Sequence, residues 1–307
     1  MTLEDASGFL KAPGGAPANV AAGVAKLGRT SSFLGKVGAD PFGYYLRDTF
    51  VNAGINVQGM RFDPDYRTGL AFVSLQTNGE RDFCFFRNPS ADMLYCSAEV
   101  EGDLISASSI FHFGSITLIS DPSKDATLSA LEIARSSGCL ISFDPNLRPL
   151  LWPDLENARD TILSVMTDID ILKLSEEELS FLTETDSLEV GLSQLMRINS
   201  GISLAVITQG AHGSTWRRND GLQGSHPGYS VDAIDTTGAG DGFVAGMLTG
   251  ILELSPPPYD ILSISEKELM NIFDRANKVG AITTLSKGAI PALPTMEQLR
   301  SFSGNRA

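Results

Sequence analysis

Cysteine is nearly absent from this chain. Its three residues, Cys84, Cys96 and Cys139, form neither an even set nor a metal-ligand spacing. That excludes a disulfide framework and a cysteine zinc site, so they read as reduced core thiols of a cytosolic protein. Histidine is as scarce. His112, His212 and His226 lack metal spacing and read as structural or exposed. Positive charge is in deficit, with 23 Lys and Arg against 37 Asp and Glu and a net charge of −14. A nucleic-acid partner needs a basic face and is not expected. A local phosphate site remains compatible, because salt confines surface fields to about 8–10 Å. There is no run of about 18 apolar residues to span a membrane. The first ten residues are acidic and mixed, unlike a secretory leader, and a cytoplasmic protein is expected. No repeat or low-complexity tract stands out. The phosphate loop G-x-x-x-x-G-K-S/T is missing too, which argues against a Walker-type nucleotide enzyme.

What is there is enough for one large domain. The 307 residues, 42% of them hydrophobic, can bury a substantial core. The two tryptophans, Trp152 and Trp216, are expected to pack. The most telling segment is Asp235-Thr236-Thr237-Gly238-Ala239-Gly240-Asp241. After it Val244, Met247, Leu248 and Ile251 recur at helical spacing, so the glycines lie where a loop becomes a helix. The first N–H groups of a helix have no internal partner and carry part of the positive end of the helix dipole. Such a terminus is an anion site, and Gly238 and Gly240 let a phosphate approach the backbone. Asp241 brings a carboxylate to the same place. An acid at a helix start also has a purely structural explanation, since it favours the dipole. As chemistry, a base beside anion donors suits phosphoryl transfer to a hydroxyl. An ordinary aspartate pKa of about 4 would leave Asp241 ionised at neutral pH.

A second glycine-rich element lies far upstream. Gly14 and Gly15 precede a helix with Val20, Val24 and Leu27 on one face, and Asn19 sits in its first turn. Asn offers both a donor and acceptors, which suits sugar hydroxyls. Between the two elements, residues 70–87 read as a hairpin. Ala71, Val73 and Leu75 alternate, Asn78-Gly79 supplies a turn, and Phe83 and Phe85 follow. From about residue 104, short apolar runs alternate with helical patterns. Strands are predicted at 110–113, 140–143, 169–174 and 204–208, with helices near 127–136 and 156–165. That alternation implies βαβ units and a parallel sheet covered by helices. Ligands of such sheets bind beyond the carboxyl ends of the strands. Asp144-Pro-Asn146, Ser175 to Glu178 and Thr208-Gln-Gly210 all fall just there.

With these residues in view, the chain resembles the ribokinase or pfkB family of carbohydrate kinases. Gly14-Gly15-Ala-Pro-Ala-Asn19 matches the family's N-terminal signature and Asp235 to Asp241 its C-terminal one. Within the family the similarity is greatest to fructokinases, through Arg87-Asn-Pro-Ser-Ala-Asp92, Asp144-Pro-Asn-Leu-Arg148 and Ser175-Glu-Glu-Glu178. The resemblance implies a ribokinase-like three-layer α/β sandwich with a mostly parallel sheet. It also implies a single kinase domain over 1–307, with a small β lid from about 55–100. The family's first buried strand, ending near Gly-Glu-x-Leu-Ile-Asp, has no counterpart. Met1 to Lys11 corresponds to the loop after it, so a core strand is expected to be missing, and either a start further upstream or a truncated, less stable form is implied.

The implied activity is ATP-dependent phosphorylation of a sugar, D-fructose to D-fructose 6-phosphate. The alternatives are 2-keto-3-deoxygluconate or another family sugar, and a truncated, non-catalytic sugar-binding or scaffold relative. Asp241 would be the base, with Gly238, Ala239 and Gly240 donating to the moving phosphoryl. Gly14, Gly15, Asn19, Arg87 and Arg148 would contact the sugar or phosphate, although either arginine could instead form a surface ion pair. Ser175, Thr208, Gly210, Gly213, Asn277 and Gly280 would line the ATP site. Glu178 would organise Mg2+ through water. Asp235, Thr237, Thr283 and Gly288 match positions for a monovalent cation, usually K+. Partners would be sugar and ATP, with a homodimer through lid strands as a further option.

Overall fold

The computed structural model describes residues 6, 8–75, 81–254 and 259–306. In chain order the first elements are α1 (Ala16–Lys26), β1 (Ser31–Ser32), β2 (Gly35–Gly38), α2 (Pro41–Asn52), β3 (Ile55–Asn56) and β4 (Met60–Asp63). Next come β5 (Leu70–Leu75), β6 (Arg81–Phe86), α3 (Gly102–Ser106), β7 (Ile110–Phe113), α4 (Ser123–Ser136) and β8 (Leu140–Phe143). They are followed by α5 (Leu155–Ser164), β9 (Ile171–Ser175), α6 (Glu176–Thr183), α7 (Leu188–Ile198), β10 (Leu204–Thr208), β11 (Ser214–Arg218) and β12 (Gln223–His226). The chain closes with β13 (Tyr229–Ser230), α8 (Ala239–Leu252), α9 (Glu266–Thr283), α10 (Met296–Ser301) and β14 (Asn305–Arg306).

The main sheet has the order β12-β11-β10-β9-β8-β7. Strands β7 to β10 run parallel, and β11 and β12 are antiparallel additions. Strands β8, β9 and β10 are buried on both faces, as βαβ crossovers require. Their side chains divide by the two-residue period of a strand. Ile141, Phe143, Leu172, Leu174, Ala205 and Ile207 join the core under α4 to α7. Leu140, Ile171, Leu204 and Val206 join the core under α1, α8 and α9. Three layers result, with the sheet in the middle. Among the described residues β7 pairs with β8 alone, while β2 pairs with β4 in a separate two-stranded sheet.

Strands β5 and β6 form the expected antiparallel hairpin, with Ala71 opposite Phe85. Its Asn78-Gly79 turn lies outside the described residues, as does the side chain of Phe83. The cysteines correct the expectation of three core thiols. All are free, but only Cys139 is buried, while Cys84 is exposed and Cys96 half-buried. Trp152 and Trp216 do pack in the cores.

Helix α8 also departs from its sequence reading. Its apolar spacing predicts one buried face, yet every residue from Asp241 to Ile251 is buried. The reason is packing on two sides. A methyl group built on Gly23 of α1 would stand 2.5 Å from Ala245 Cβ. One on Gly246 would stand 2.9 Å from Ala276 Cα of α9. Small residues thus let two helices approach α8 closely and fix its first turn at the sheet edge. Gly246→Leu is expected to destabilise the fold by about 1–3 kcal/mol, the usual range for overpacking. A lowered urea midpoint is the readout, and an unchanged one would mean that α8 and α9 have room to spare.

Candidate active site

Helix α8 starts at Gly238, whose φ of +79° puts it in the left-handed region that glycine enters without strain. A methyl group there would also press to 2.8 Å from Ala289 Cβ. The chain then turns tightly, and Gly242 N–H already bonds Gly238 O at 2.7 Å. Gly238, Ala239 and Gly240 thus occupy the helix start predicted for them, the geometry of an anion site.

The two glycine-rich segments meet here. Asn19, in the first turn of α1, donates from Nδ2 to Asp241 Oδ2 at 2.7 Å, across 222 residues of sequence. Asn19 Oδ1 is buried and has no hydrogen-bond partner, so it is an acceptor available for a ligand hydroxyl. Gly15, with φ of +119°, is the residue from which α1 begins. Gly14 is open to space on its side-chain face.

The other oxygen of Asp241 is held as well. Asn146 Nδ2 donates to Oδ1 at 3.1 Å. Behind it, Lys173 of β9 pairs with Asp144 at 3.1 Å, both side chains almost fully buried. Burial raises the Asp241 pKa to about 6. The Asn19 bond opposes this, the Asp144 charge adds to it, and Lys173 and Arg148 counter it. The ordinary value of about 4 expected from sequence is thereby corrected, because a carboxylate out of water loses solvation that two amides replace only in part. Burial works against the charge of Lys173, but Asp144, Glu178 and Asp241 outweigh it and hold its pKa up.

Sequence reasoning placed Asp144 and Asn146 at the sheet edge without a role, and it missed Lys173. The available signal was a lysine inside an apolar strand run, a residue type that is buried only when paired.

The remaining predicted residues are distributed along the same edge. Ser175 caps α6, accepting from Glu178 N at 3.2 Å, while Glu178 Oε2 accepts from Ser175 N at 2.8 Å. Glu178 Oε1 accepts from Leu147 N at 2.8 Å, tying the loop after β8 to α6. Burial raises the Glu178 pKa against the pull of Lys173. Arg148 donates to the carbonyls of Asn146 and Leu147 at 3.1 and 3.0 Å. Arg87 donates from Nε to Asp92 at 2.7 Å and reaches Ile116 O at 3.4 Å, so the ion-pair alternative is present at that residue. A cleft of about 430 Å³ opens among Asn146, Arg148, Lys173, Ser175, Glu178 and Phe181.

Thr208 ends β10 and donates to Leu174 O at 3.3 Å. Gly210 and Gly213 have positive φ, and a methyl group on Gly213 would collide with His226 O. Asn277 ties α9 to β11 through Ser214 Oγ at 3.0 Å, and Gly280 lies against Ala239 O. Asp235 accepts from Thr237 N and Oγ1 at 3.0 and 2.7 Å and from Gly288 N at 2.9 Å, joining the loop before α8 to the turn after α9. Thr283 is turned into its own helix, donating to Val279 O at 2.7 Å. Among the described residues no three His, Cys, Asp or Glu side chains group as a metal site, and no helix is long and apolar enough to cross a membrane.

Comparison with known proteins places this geometry. The pfkB family carbohydrate kinase pattern matches residues 2–296. The probable fructokinase-6, chloroplastic, of Arabidopsis thaliana is 47% identical over 298 residues, 97% of this chain and 76% of that protein. Fructokinase-2 of Oryza sativa subsp. japonica is 45% identical over 296 residues, 96% and 86% of the two chains. Among solved structures, the fructokinase from Xylella fastidiosa with bound ATP superposes with a TM-score of 0.88 at 32% identity, covering 95% of this chain and 91% of that one. A double mutant of the Vibrio cholerae O395 fructokinase, in fructose, ADP and potassium ion bound form, gives 0.86 at 37%, covering 96% and 91%. The fold is ribokinase-like, and the chain belongs to the pfkB family of carbohydrate kinases.

Proposed function

We propose that this kinase transfers the γ-phosphoryl group of ATP to the primary hydroxyl of D-fructose, giving D-fructose 6-phosphate. The observation that carries the reading is the 2.7 Å bond between Asn19 and Asp241, which puts a base between a sugar-facing amide and the amides opening α8. Asp241 takes the hydroxyl proton as the oxygen attacks phosphorus. Gly238, Ala239 and Gly240 offer N–H groups to the phosphoryl oxygens, since positioning and charge stabilisation do most of the work in this chemistry. The unpartnered Oδ1 of Asn19 accepts from a sugar hydroxyl. ATP lies along the edge formed by Thr208, Gly210, Gly213, Asn277 and Gly280. Strands β5 and β6 serve as the lid of the single domain. Their exposed Val73 and Phe86 supply apolar surface to exclude water or meet a second copy.

Two ions fit the residues. Both Glu178 oxygens already accept backbone N–H groups. Glu178 therefore suits Mg2+ through water, in keeping with that ion's preference for water and few carboxylates. When bound, Mg2+ would neutralise charge on the phosphates. Asp235, Thr237, Thr283 and Gly288 would offer hard oxygen donors to K+, an ion named for the Vibrio cholerae relative.

A keto-acid substrate is less favoured, because the guanidinium groups of Arg87 and Arg148 are already engaged by Asp92 and by carbonyls. Turnover on fructose is expected to exceed that on 2-keto-3-deoxygluconate in a coupled ADP-release assay, and the reverse order would displace fructose. A scaffold role is disfavoured by the assembled base. Asp241→Asn is expected to lower kcat by about 10²–10⁴-fold, the usual worth of a general base, while nucleotide affinity by calorimetry stays near the parent value.

The pH dependence has a definite sign. With the Asp241 pKa near 6, kcat/KM should fall as pH drops through about 6. A profile flat to pH 4.5 would remove Asp241 from the role. In folding, the native state binds this proton more tightly than the unfolded chain. Stability therefore falls as pH rises from about 4 to about 6, by about 3 kcal/mol in all. Asp241→Asn should accordingly raise Tm relative to the parent at pH 8, with the difference shrinking toward pH 4.

A further inference from the structure

The base is linked to a buried ion pair that lies outside both glycine signatures. Lys173 occupies the β9 position whose neighbour, Ile171, faces the α8 layer. Instead of an apolar side chain it sends an ammonium to Asp144 Oδ2 at 3.1 Å. Asp144 in turn addresses Asn146. Its Oδ1 accepts from the Asn146 backbone N–H at 3.3 Å, and its Oδ2 faces Asn146 Nδ2 at 3.5 Å. Asn146 has φ of +50°, the left-handed region that a non-glycine residue enters under strain unless its surroundings hold it. In that conformation its carboxamide donates to Asp241 Oδ1 at 3.1 Å. The contacts run Lys173, Asp144, Asn146, Asp241 without a gap.

We propose that Lys173 and Asp144 are positioning residues, whose ion pair holds Asn146 in its left-handed turn so that the Asn146 amide fixes the orientation of Asp241. The proposal rests on reading Asp241 as the base. The physics is that of a buried carboxylate. The Lys173 ammonium anchors Asp144 at 3.1 Å, in the orientation from which both of its oxygens face Asn146. Without the ammonium, Asp144 is left buried and without its ion-pair partner, free to turn toward other donors, and its hold on the turn weakens. Asn146 then relaxes to negative φ and leaves Asp241 tethered by Asn19 alone. Glu178 does not substitute, because it grips Leu147 N, the next residue along, and so pins the loop without setting the Asn146 side chain.

The test is a double-mutant cycle on the full chain, with kcat and both KM values measured for Lys173→Met, Asn146→Ala and their combination. Each single variant should lose about tenfold or more in kcat, with KM for ATP within about threefold of the parent. The double variant should be about as impaired as the worse single, since both cut one path. Lys173→Arg, which keeps the charge, should recover most of the loss. Asn146→Gly, which accepts the left-handed turn but lacks the amide, should behave like Asn146→Ala. Multiplicative losses in the double variant, or parent kcat in Lys173→Met, would overturn the proposal.

A crystal structure of Lys173→Met gives an independent reading. Asn146 unmoved, with its bond to Asp241 intact, defeats the proposal. Turnover retained by Asp241→Asn instead defeats the base assignment, so the two failures are told apart. Should Lys173→Met not fold, the neutral pair Lys173→Gln with Asp144→Asn carries the same structural and kinetic comparison.

Discussion

The site depends on holding one carboxylate, Asp241, out of water at the start of a helix that is itself buried. Helix α8 is squeezed between α1 and α9 by glycines at both contacts, so its first turn cannot drift from the sheet edge. That rigidity lets Asn19 on α1 reach Asp241 on α8 at hydrogen-bond distance. If the helices moved apart, this bond between the amide and the carboxylate would be lost. The packing of small residues far from the chemistry is therefore what makes the chemistry possible.

Burial gives Asp241 its character and carries a cost. Asp144, Glu178 and Asp241 all act on Lys173, a single buried cation. Such an arrangement is stable only because backbone and amide donors supplement the lysine. Glu178 has two backbone N–H groups, Asp241 has two carboxamides, and Asp144 has Lys173 and Asn146. Burial above all, with the Asp144 charge adding to it, disfavours ionised Asp241 and raises its pKa toward neutrality. A base with a pKa close to the working pH accepts a proton more effectively than a fully solvated aspartate.

The loops around this centre are stapled in pairs. Glu178 joins the turn after β8 to α6, and Asp235 joins the approach to α8 to the turn after α9. Asn277 joins α9 to β11, and Gly213 admits the close crossing of the segment at His226. Each staple links segments distant in sequence at the same sheet edge, so the site is an outcome of the parallel topology as much as of any signature.

The amino-acid order alone determined the layering and the position of Asp241 at a helix start. Alternating apolar runs and helical patterns placed the parallel strands to within two residues, and the two glycine-rich segments marked two helix starts and Asp241. These are local properties of period, propensity and unsatisfied backbone groups. Tertiary structure decided what no window of sequence contains. It buried α8 on all sides, because its partners come from both ends of the chain. It moved the Asp241 pKa, because solvation depends on everything packed around a group. It gave Lys173 its task, because a lysine in an apolar strand acquires a meaning only when the neighbouring strand brings Asp144 alongside.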